Sequence, residues 1–270
     1  MTIRLLAVDV DDTLLDSQGK LLPSTKKAVA ACLEQGIKVV LCSGRPLAGL
    51  TPYLQALNIS GSQQYAITYN GAIIEAAAGD IISKKLVNNQ WYRQLTAFSQ
   101  EHKIPFNVVA PDSQIYTADH DVNWLTVVQA WENSAGVFIR KPDELPADFV
   151  IAKGLFVGDS SLLDQIEPTV EQAFGQDLSV VRSGPNFLEV MHLGVNKGVA
   201  LQQLTQHLNL SAAEVMAVGD EKNDLPMFEF AGTAVAMGNG TDLAKQHADF
   251  VTGTNDEDGL AAAIEKYALN

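Results

Sequence analysis

The sequence predicts an α/β protein, a doubly wound parallel sheet interrupted by an inserted α+β domain. Three observations lead there. Strand-sized, nearly uninterrupted apolar runs alternate with segments of helical periodicity in the first and last thirds of the chain. Several of these runs stop at acidic, hydroxyl or glycine residues. Between them, roughly over residues 84 to 190, the texture changes to longer segments with polar interruptions, carrying Trp91, Tyr92, Phe98, Phe106, Tyr116, Trp124, Trp131 and Phe138. Without an interleaved basic stripe, those rings read as the core of the inserted domain.

The first run, Ile3 to Val8, has the pattern of a strand covered on both faces, and Asp9 stands at its end. Ser24 to Gln35 places Val29, Cys32 and Leu33 at helical spacing, entered through Pro23 and closed by Gly36. Ile37 to Cys42 is a second buried strand, which completes a βαβ unit and so begins an open parallel sheet. A hairpin turn is expected at Asp80, between Ile73-Ile74 and Ile81-Ile82. The last third resumes the alternation: helix Gly198–Leu208, strand Val215–Val218, helix Asp224–Phe230, strand Thr233–Met237, helix Thr241–His247 and strand Phe250–Val251.

A chain of 270 residues, 47% hydrophobic, can bury a sizeable core. Its net charge of −14 and pI near 4.6 argue against nucleic acid or an anionic membrane as a partner. The same charge repels phosphates, so a phosphorylated substrate would need local cations, a divalent metal first among them. Ile3 to Val8 is too short and too soon broken to be a secretion leader, and no apolar window approaches the ~18 residues of a membrane span. Cys32 and Cys42 have neither disulfide-framework nor metal-ligand spacing. The expectation is a soluble protein of the reducing cytoplasm.

Four short segments fall at predicted strand ends, where open parallel sheets bind ligands. In Asp9-Val10-Asp11-Asp12-Thr13, residues i and i+2 of an extended end point the same way, so Asp9 and Asp11 face one substrate while Val10 packs behind. Two such carboxylates repel, which calls for a cation or a shared proton between them. Ser43-Gly44-Arg45 follows Cys42 and offers a hydroxyl and an approachable N–H to a phosphoryl oxygen, although the same tripeptide makes ordinary turns. Cys42 itself lacks the longer anion loop that a cysteine phosphatase places between Cys and Arg. Asn196-Lys197-Gly198 opens a helix and adds a full positive charge to its N-terminus. Gly219-Asp220-Glu221-Lys222-Asn223-Asp224 puts Asp220 where it can bind a metal, Asn223 where it can hydrogen-bond phosphate, and Asp224 where it can orient its neighbours or cap a helix.

With Thr68-Tyr69-Asn70-Gly71-Ala72, Pro185-Asn186-Phe187-Leu188-Glu189-Val190, Asp258-Gly259 and the C-terminal Glu265-Lys266-Tyr267-Ala268-Leu269-Asn270, these motifs make the whole chain resemble the haloacid dehalogenase superfamily, close to its Cof-type phosphatases. The resemblance implies a Rossmann-like core of residues 1–83 and 191–270 carrying an α+β cap of residues 84–190. It implies that Asp9 is nucleophile and Mg²⁺ ligand. Asp11 would be the general acid and base and lend Mg²⁺ its backbone carbonyl, and Asp220 would complete the metal site with Asp224 supporting it. Val10, Ser43, Gly44, Lys197 and Asn223 would hold the phosphoryl group. One departure stands out: the family's first motif commonly reads D-x-D-G-T, and Asp12 occupies the glycine position. Asp tolerates unusual backbone angles but adds negative charge near the metal.

The expected activity is Mg²⁺-dependent hydrolysis of small phosphorylated metabolites, sugar phosphates above all, through an aspartyl phosphate, by a monomer or homodimer. Two competitors remain open from sequence: a sugar phosphomutase or phosphotransferase, and a noncatalytic phosphometabolite-binding regulator. Phe187, Glu189, His192 and Asn70 are candidates for choosing the substrate, and each has an equally good structural reading.

Overall fold

The structure is a computed structural model that describes residues 2–269; Asn270, the last residue of the C-terminal segment above, lies outside the described residues. Along the chain the elements begin with β1 (Leu5–Val8), α1 (Pro23–Glu34), β2 (Lys38–Cys42), α2 (Leu47–Ala56), β3 (Tyr65–Thr68), β4 (Ile73–Ala76) and β5 (Ile81–Lys84). They continue through β6 (Val87–Asn88), α3 (Asn89–His102), β7 (Phe106–Val109), β8 (Ile115–Thr117), α4 (Trp124–Glu132), β9 (Val137–Ile139), β10 (Val150–Ile151), β11 (Lys153–Val157), α5 (Ser160–Phe174), β12 (Leu178–Gly184) and β13 (Phe187–His192). The last elements are α6 (Lys197–His207), β14 (Val215–Gly219), α7 (Leu225–Phe230), β15 (Thr233–Ala236), α8 (Asp242–His247), β16 (Phe250–Val251) and α9 (Gly259–Tyr267). The chain divides into two compact units, Met1–Ser83 with Asn196–Asn270, and Lys84–Val195. The sequence puts the second boundary at 190, but β13 runs on to His192 in register with β12.

The first unit holds an eight-stranded sheet in the order β16-β15-β14-β1-β2-β3-β4-β5. All pairings from β16 to β3 are parallel, and β4 returns antiparallel to β3. The apolar runs follow from this, because each central strand is buried on both faces. Leu6, Val8, Val39 and Leu41 pack on one side with Val29 and Cys32 of α1 and Ile264 of α9. Leu5, Ala7, Val40 and Cys42 pack on the other with Leu201 and Leu204 of α6 and Met227 of α7. Each such Leu, Ile, Val or Met side chain contributes roughly 1.5–3 kcal/mol by leaving water. The helix following β1 therefore covers one face and the helix following β14 the opposite face. These connections diverge between adjacent strands, which opens a crevice at their carboxyl ends.

Helix boundaries follow local chemistry. Pro23 takes the first position of α1, where its missing N–H costs nothing. The Asn196 side chain accepts from Val199 N–H and caps α6 one residue earlier than sequence spacing suggests, which brings Lys197 inside the first turn. The hairpin at Asp80 closes with the Ala76 N–H donating to the Asp80 carbonyl.

The second unit is built on a six-stranded sheet in the order β12-β13-β11-β7-β8-β9. Tyr92, Leu95, Phe106, Phe156, Leu163, Val170 and Phe174 form its core, with Phe98 packed against them. Most of the rings read as core residues are so used. Trp124, Trp131 and Phe138 are corrections to that reading: the two tryptophans project from the outer face of α4, Phe138 of β9 stacks on Tyr116 at the sheet's edge, and all three are exposed.

Candidate active site

The site is assembled at the carboxyl ends of β1, β2 and β14. The Asp9 N–H donates to the Val218 carbonyl across the β1–β14 pairing, and the chain then enters a tight turn over Val10–Leu14. Asp12 sits in that turn at φ +59°, in the left-handed region. The position that the family gives to glycine thus has the backbone glycine favours, and Asp is among the few side chains that adopt it at modest cost. The Asn239 side-chain amide donates to the Asp12 carbonyl, and the Asn255 amide to the Leu15 carbonyl, which ties the turn down.

Lys197 is fully buried, and its Nζ donates to Asp9 Oδ1 at 2.5 Å and to Asp224 Oδ1 at 2.7 Å. Asp224, also fully buried, accepts at its other oxygen from the Asp220 N–H at 2.9 Å and the Glu221 N–H at 3.1 Å. Asp220 Oδ1 accepts from the Thr13 hydroxyl at 2.8 Å. Asp9, Lys197, Asp224, Asp220 and Thr13 are therefore one connected network drawn from three distant stretches of sequence. Gly219 makes room for it, since a Cβ there would lie 2.5 Å from the Asp224 carboxyl. Gly198 likewise lets α6 approach α7, since its Cβ would lie 2.1 Å from the Pro226 carbonyl oxygen. We expect Gly219→Ala to lower turnover at least about tenfold and stability by about 1–3 kcal/mol, the usual penalty of overpacking. Steady-state kinetics beside a denaturant titration would check both.

The electrostatics are those of a site short of positive charge. Burial pushes the Asp9 carboxyl well above the usual carboxylate range, Asp224, Asp220 and Asp11 push it further, and Lys197 alone pulls it back. Burial and Asp224 raise Asp220 to about 7, against the opposing pull of the Thr13 hydroxyl and Lys197. Burial works against the Lys197 ammonium, but Asp224 and Asp9 outweigh it, and its pKa lies above that of an ordinary lysine.

Carboxylate oxygens of Asp9, Asp220 and Asp224 lie within 4.8 Å of one another. Among the described residues no hydrogen-bond donor reaches Asp9 Oδ2 or Asp220 Oδ2, whereas both oxygens of Asp224 have donors. Two buried acids and a half-buried one against one ammonium, with two oxygens left over, fit a hard divalent cation held by Asp9 and Asp220 and steadied by Asp224.

Asp11 is disposed differently from Asp9. Its carboxylate is half exposed and takes a bidentate pair from Arg45, Nε at 3.0 Å and Nη2 at 2.6 Å. The side chain is therefore turned to Arg45, leaving the main chain as what Asp11 could offer a metal. Ser43 is buried; its Oγ accepts from the Arg45 N–H at 3.1 Å and keeps its own proton to donate. The Asn223 amide donates to Asn70 Oδ1 at 3.2 Å, and Asn70 Nδ2 lies 3.1 Å from where a Cβ on Gly44 would stand. Ser43, Gly44 and Asn223 thus share Asn70 as a neighbour, the Asn70 N–H donating to the Ser43 carbonyl. Thr13 and Arg45 carry contacts that the motifs contained but to which sequence spacing assigned no role, and Asn70, a candidate for choosing the substrate, stands here against the residues expected to hold phosphate. The signal for Thr13 and Arg45 was only proximity in the chain to Asp9 and Ser43.

The sequence profile of the haloacid dehalogenase-like hydrolases matches residues 6–264. The chain belongs to that family. This hydrolase is 34% identical over 267 residues to YxeH of Bacillus subtilis, with 98% of each chain covered. It is 29% identical over 268 residues to the 5-amino-6-(5-phospho-D-ribitylamino)uracil phosphatase YcsE of the same organism, covering 99% of this chain and 96% of that one. Among solved structures, a haloacid dehalogenase-like hydrolase from Bacteroides thetaiotaomicron superposes with a TM-score of 0.86 at 30% identity, covering 98% and 99% of the two chains.

Proposed function

We propose that this hydrolase is a Mg²⁺-dependent phosphatase that cleaves small phosphorylated metabolites through a phosphorylated Asp9. The observation that carries the proposal is the buried Lys197 bridging Asp9 and Asp224 beside Asp220: the acids outnumber the fixed cation, as suits a site that accepts a metal and a phosphate together. Asp9 attacks phosphorus in line, forming a P–O bond to its carboxylate as the bond to the leaving oxygen breaks. Asp11 gives the leaving oxygen its proton and in the second step takes one from the water that attacks phosphorus, so that the Asp9–phosphorus bond breaks and inorganic phosphate leaves. The Arg45 guanidinium holds the Asp11 carboxylate in a bidentate pair, which has to open for that carboxylate to reach the leaving oxygen. Lys197 offsets charge on the transferring group, while the Ser43 hydroxyl, the Val10 and Gly44 N–H groups and the Asn223 amide bind its oxygens. Mg²⁺, when bound, supplies charge neutralisation of carboxylates and phosphate that Lys197 cannot give alone.

Sugar or sugar-alcohol phosphates are the proposed substrate class, supported by the phosphoribityl substrate in the name of YcsE. The unit Lys84–Val195 is the proposed specificity domain. Among the described residues no helix is long and apolar enough to cross a membrane, and Cys32 and Cys42 are buried free thiols, which is consistent with work in a reducing cytoplasm. A panel of phosphorylated sugars, nucleotides and cofactors, assayed with and without Mg²⁺, tests the reading. Free phosphate that disappears in EDTA and returns with Mg²⁺ is the expected result. An isomeric sugar phosphate would mean transfer instead of hydrolysis, and full turnover in EDTA would remove the metal from the account.

A further inference from the structure

Helix α4 has its polarity inside out. Its buried side carries Leu125, Thr126, Gln129 and Ala130, with the Thr126 hydroxyl accepting from the fully buried Asn107 amide at 3.0 Å. Its outer side carries Trp124, Val127, Val128 and Trp131, which are 64%, 54%, 36% and 82% exposed. These are positions i, i+3, i+4 and i+7, one continuous apolar stripe on a helix whose inward face already anchors it. A helix apolar on both sides is ordinarily one that is covered on both sides. An exposed contiguous patch with two tryptophans marks a contact surface, since such rings are the side chains that most often carry binding energy.

We infer that the α4 stripe is the contact surface of a two-fold homodimer of this chain. The stripe is centred between Val127 and Val128, so an axis through that midpoint lays two copies of α4 antiparallel and sets Trp124 of one against Trp131 of the other. Every apolar group then meets an apolar group. With a net charge of −14 per chain, a nearly neutral surface lets two copies meet with little like-charge repulsion, and Glu132 is the single charged residue of α4. Antiparallel packing places that acid, at the carboxyl end of one helix, toward the positive amino end of the other. The absence of any Lys or Arg from α4 argues against a lipid surface, which favours basic residues flanking the apolar face. The area is of the right order: at about 150–250 Å² per ring, the exposed parts of both tryptophans from both copies supply roughly 440–730 Å², about a quarter to nearly a half of a standard interface before the valines and the rim are added.

The inference does not depend on the proposed phosphatase chemistry, and its test reads mass rather than turnover. Sedimentation velocity of the full chain over a dilution series should show a dimer dissociating to monomer. Trp131→Glu and Val128→Glu should each raise the dissociation constant roughly 30-fold or more, the effect of losing a hot spot. A second measurement guards against a folding artefact. Val128→Cys should form a disulfide-linked dimer on mild oxidation, because a residue beside the axis meets its own copy and the native Cys32 and Cys42 are buried. A wild-type chain that stays monomeric throughout, or a dimer unaffected by both glutamate variants, overturns the inference. So does a monomer that co-sediments with phosphatidylcholine vesicles, which would assign the stripe to lipid.

Discussion

Replacing Asp9 by asparagine is expected to abolish phosphate release while leaving the fold intact. The amide has the size of the carboxylate and still reaches Lys197, but it has no anionic oxygen to form the bond to phosphorus. Losing a nucleophile costs on the order of 10⁴–10⁶ in kcat, since the groups that act with it do nothing alone. Stability should move the other way or not at all. Asp9 is a buried acid whose charged form burial disfavours and which Asp224 and Asp220 crowd further, so its removal relieves repulsion. A variant that binds a phosphorylated ligand, melts at or above the wild-type temperature and releases no phosphate is the predicted outcome. Retained turnover would reject Asp9 as nucleophile, and a collapsed fold would show that the acid is structural.

Lys197→Met should fail in the opposite manner, losing both activity and stability. The ammonium is the fixed cation between two buried carboxylates, and removing one member of a buried ionic network typically costs about 3–5 kcal/mol because the others are left uncompensated. For a chain of this size that corresponds to a fall of roughly 6–20 °C in Tm. The folded pKa of Lys197 is raised, so its stabilisation is complete below the unfolded value near 10.4 and fades only as pH climbs through the folded value. The wild type therefore has all of it at neutral pH. In the variant the deficit should shrink as pH falls, because the unpaired Asp9 carboxyl, already displaced upward, takes a proton and sheds its charge. Mg²⁺ should raise the variant's Tm more than the wild type's, by supplying charge that the lysine no longer gives. Thermal unfolding at two pH values, with EDTA or Mg²⁺, measures all three effects; a Tm within a degree or two of the wild type would show that the network is incidental.

The strands and the helices flanking them were readable because burial on both faces writes an almost unbroken apolar run, as in Leu5–Val8 and Val39–Cys42, and because Pro23, Gly36 and Asn196 punctuate the helices. The candidate site residues were readable as positions at strand ends. What sequence spacing does not encode is where a side chain turns once there. Asp9 and Asp11 share one strand-end motif, yet Asp9 goes inward to Lys197 and Asp11 outward to Arg45, a difference made by the turn at Asp12 and by partners far away in the chain. Asp224 looked equally like a helix cap, and only the Gly219 backbone, open enough to admit its carboxyl, draws it beneath Asp220. The outward tryptophans of α4 were misread for a related reason. Aromatic content signals burial on average, and α4 inverts the average by turning Thr126 and Gln129 inward.

The account rests on a covalent bond between phosphorus and residue 9, and borohydride trapping tests it most directly. Quenching the enzyme during turnover of a phosphorylated substrate and reducing it with borohydride should convert the acyl phosphate at Asp9 to homoserine. Peptide mass spectrometry should find that conversion with substrate and Mg²⁺ present, and lose it in Asp9→Asn or in EDTA. An enzyme that releases phosphate at full rate while residue 9 remains aspartate, or that carries the trapped group at another residue, would contradict it.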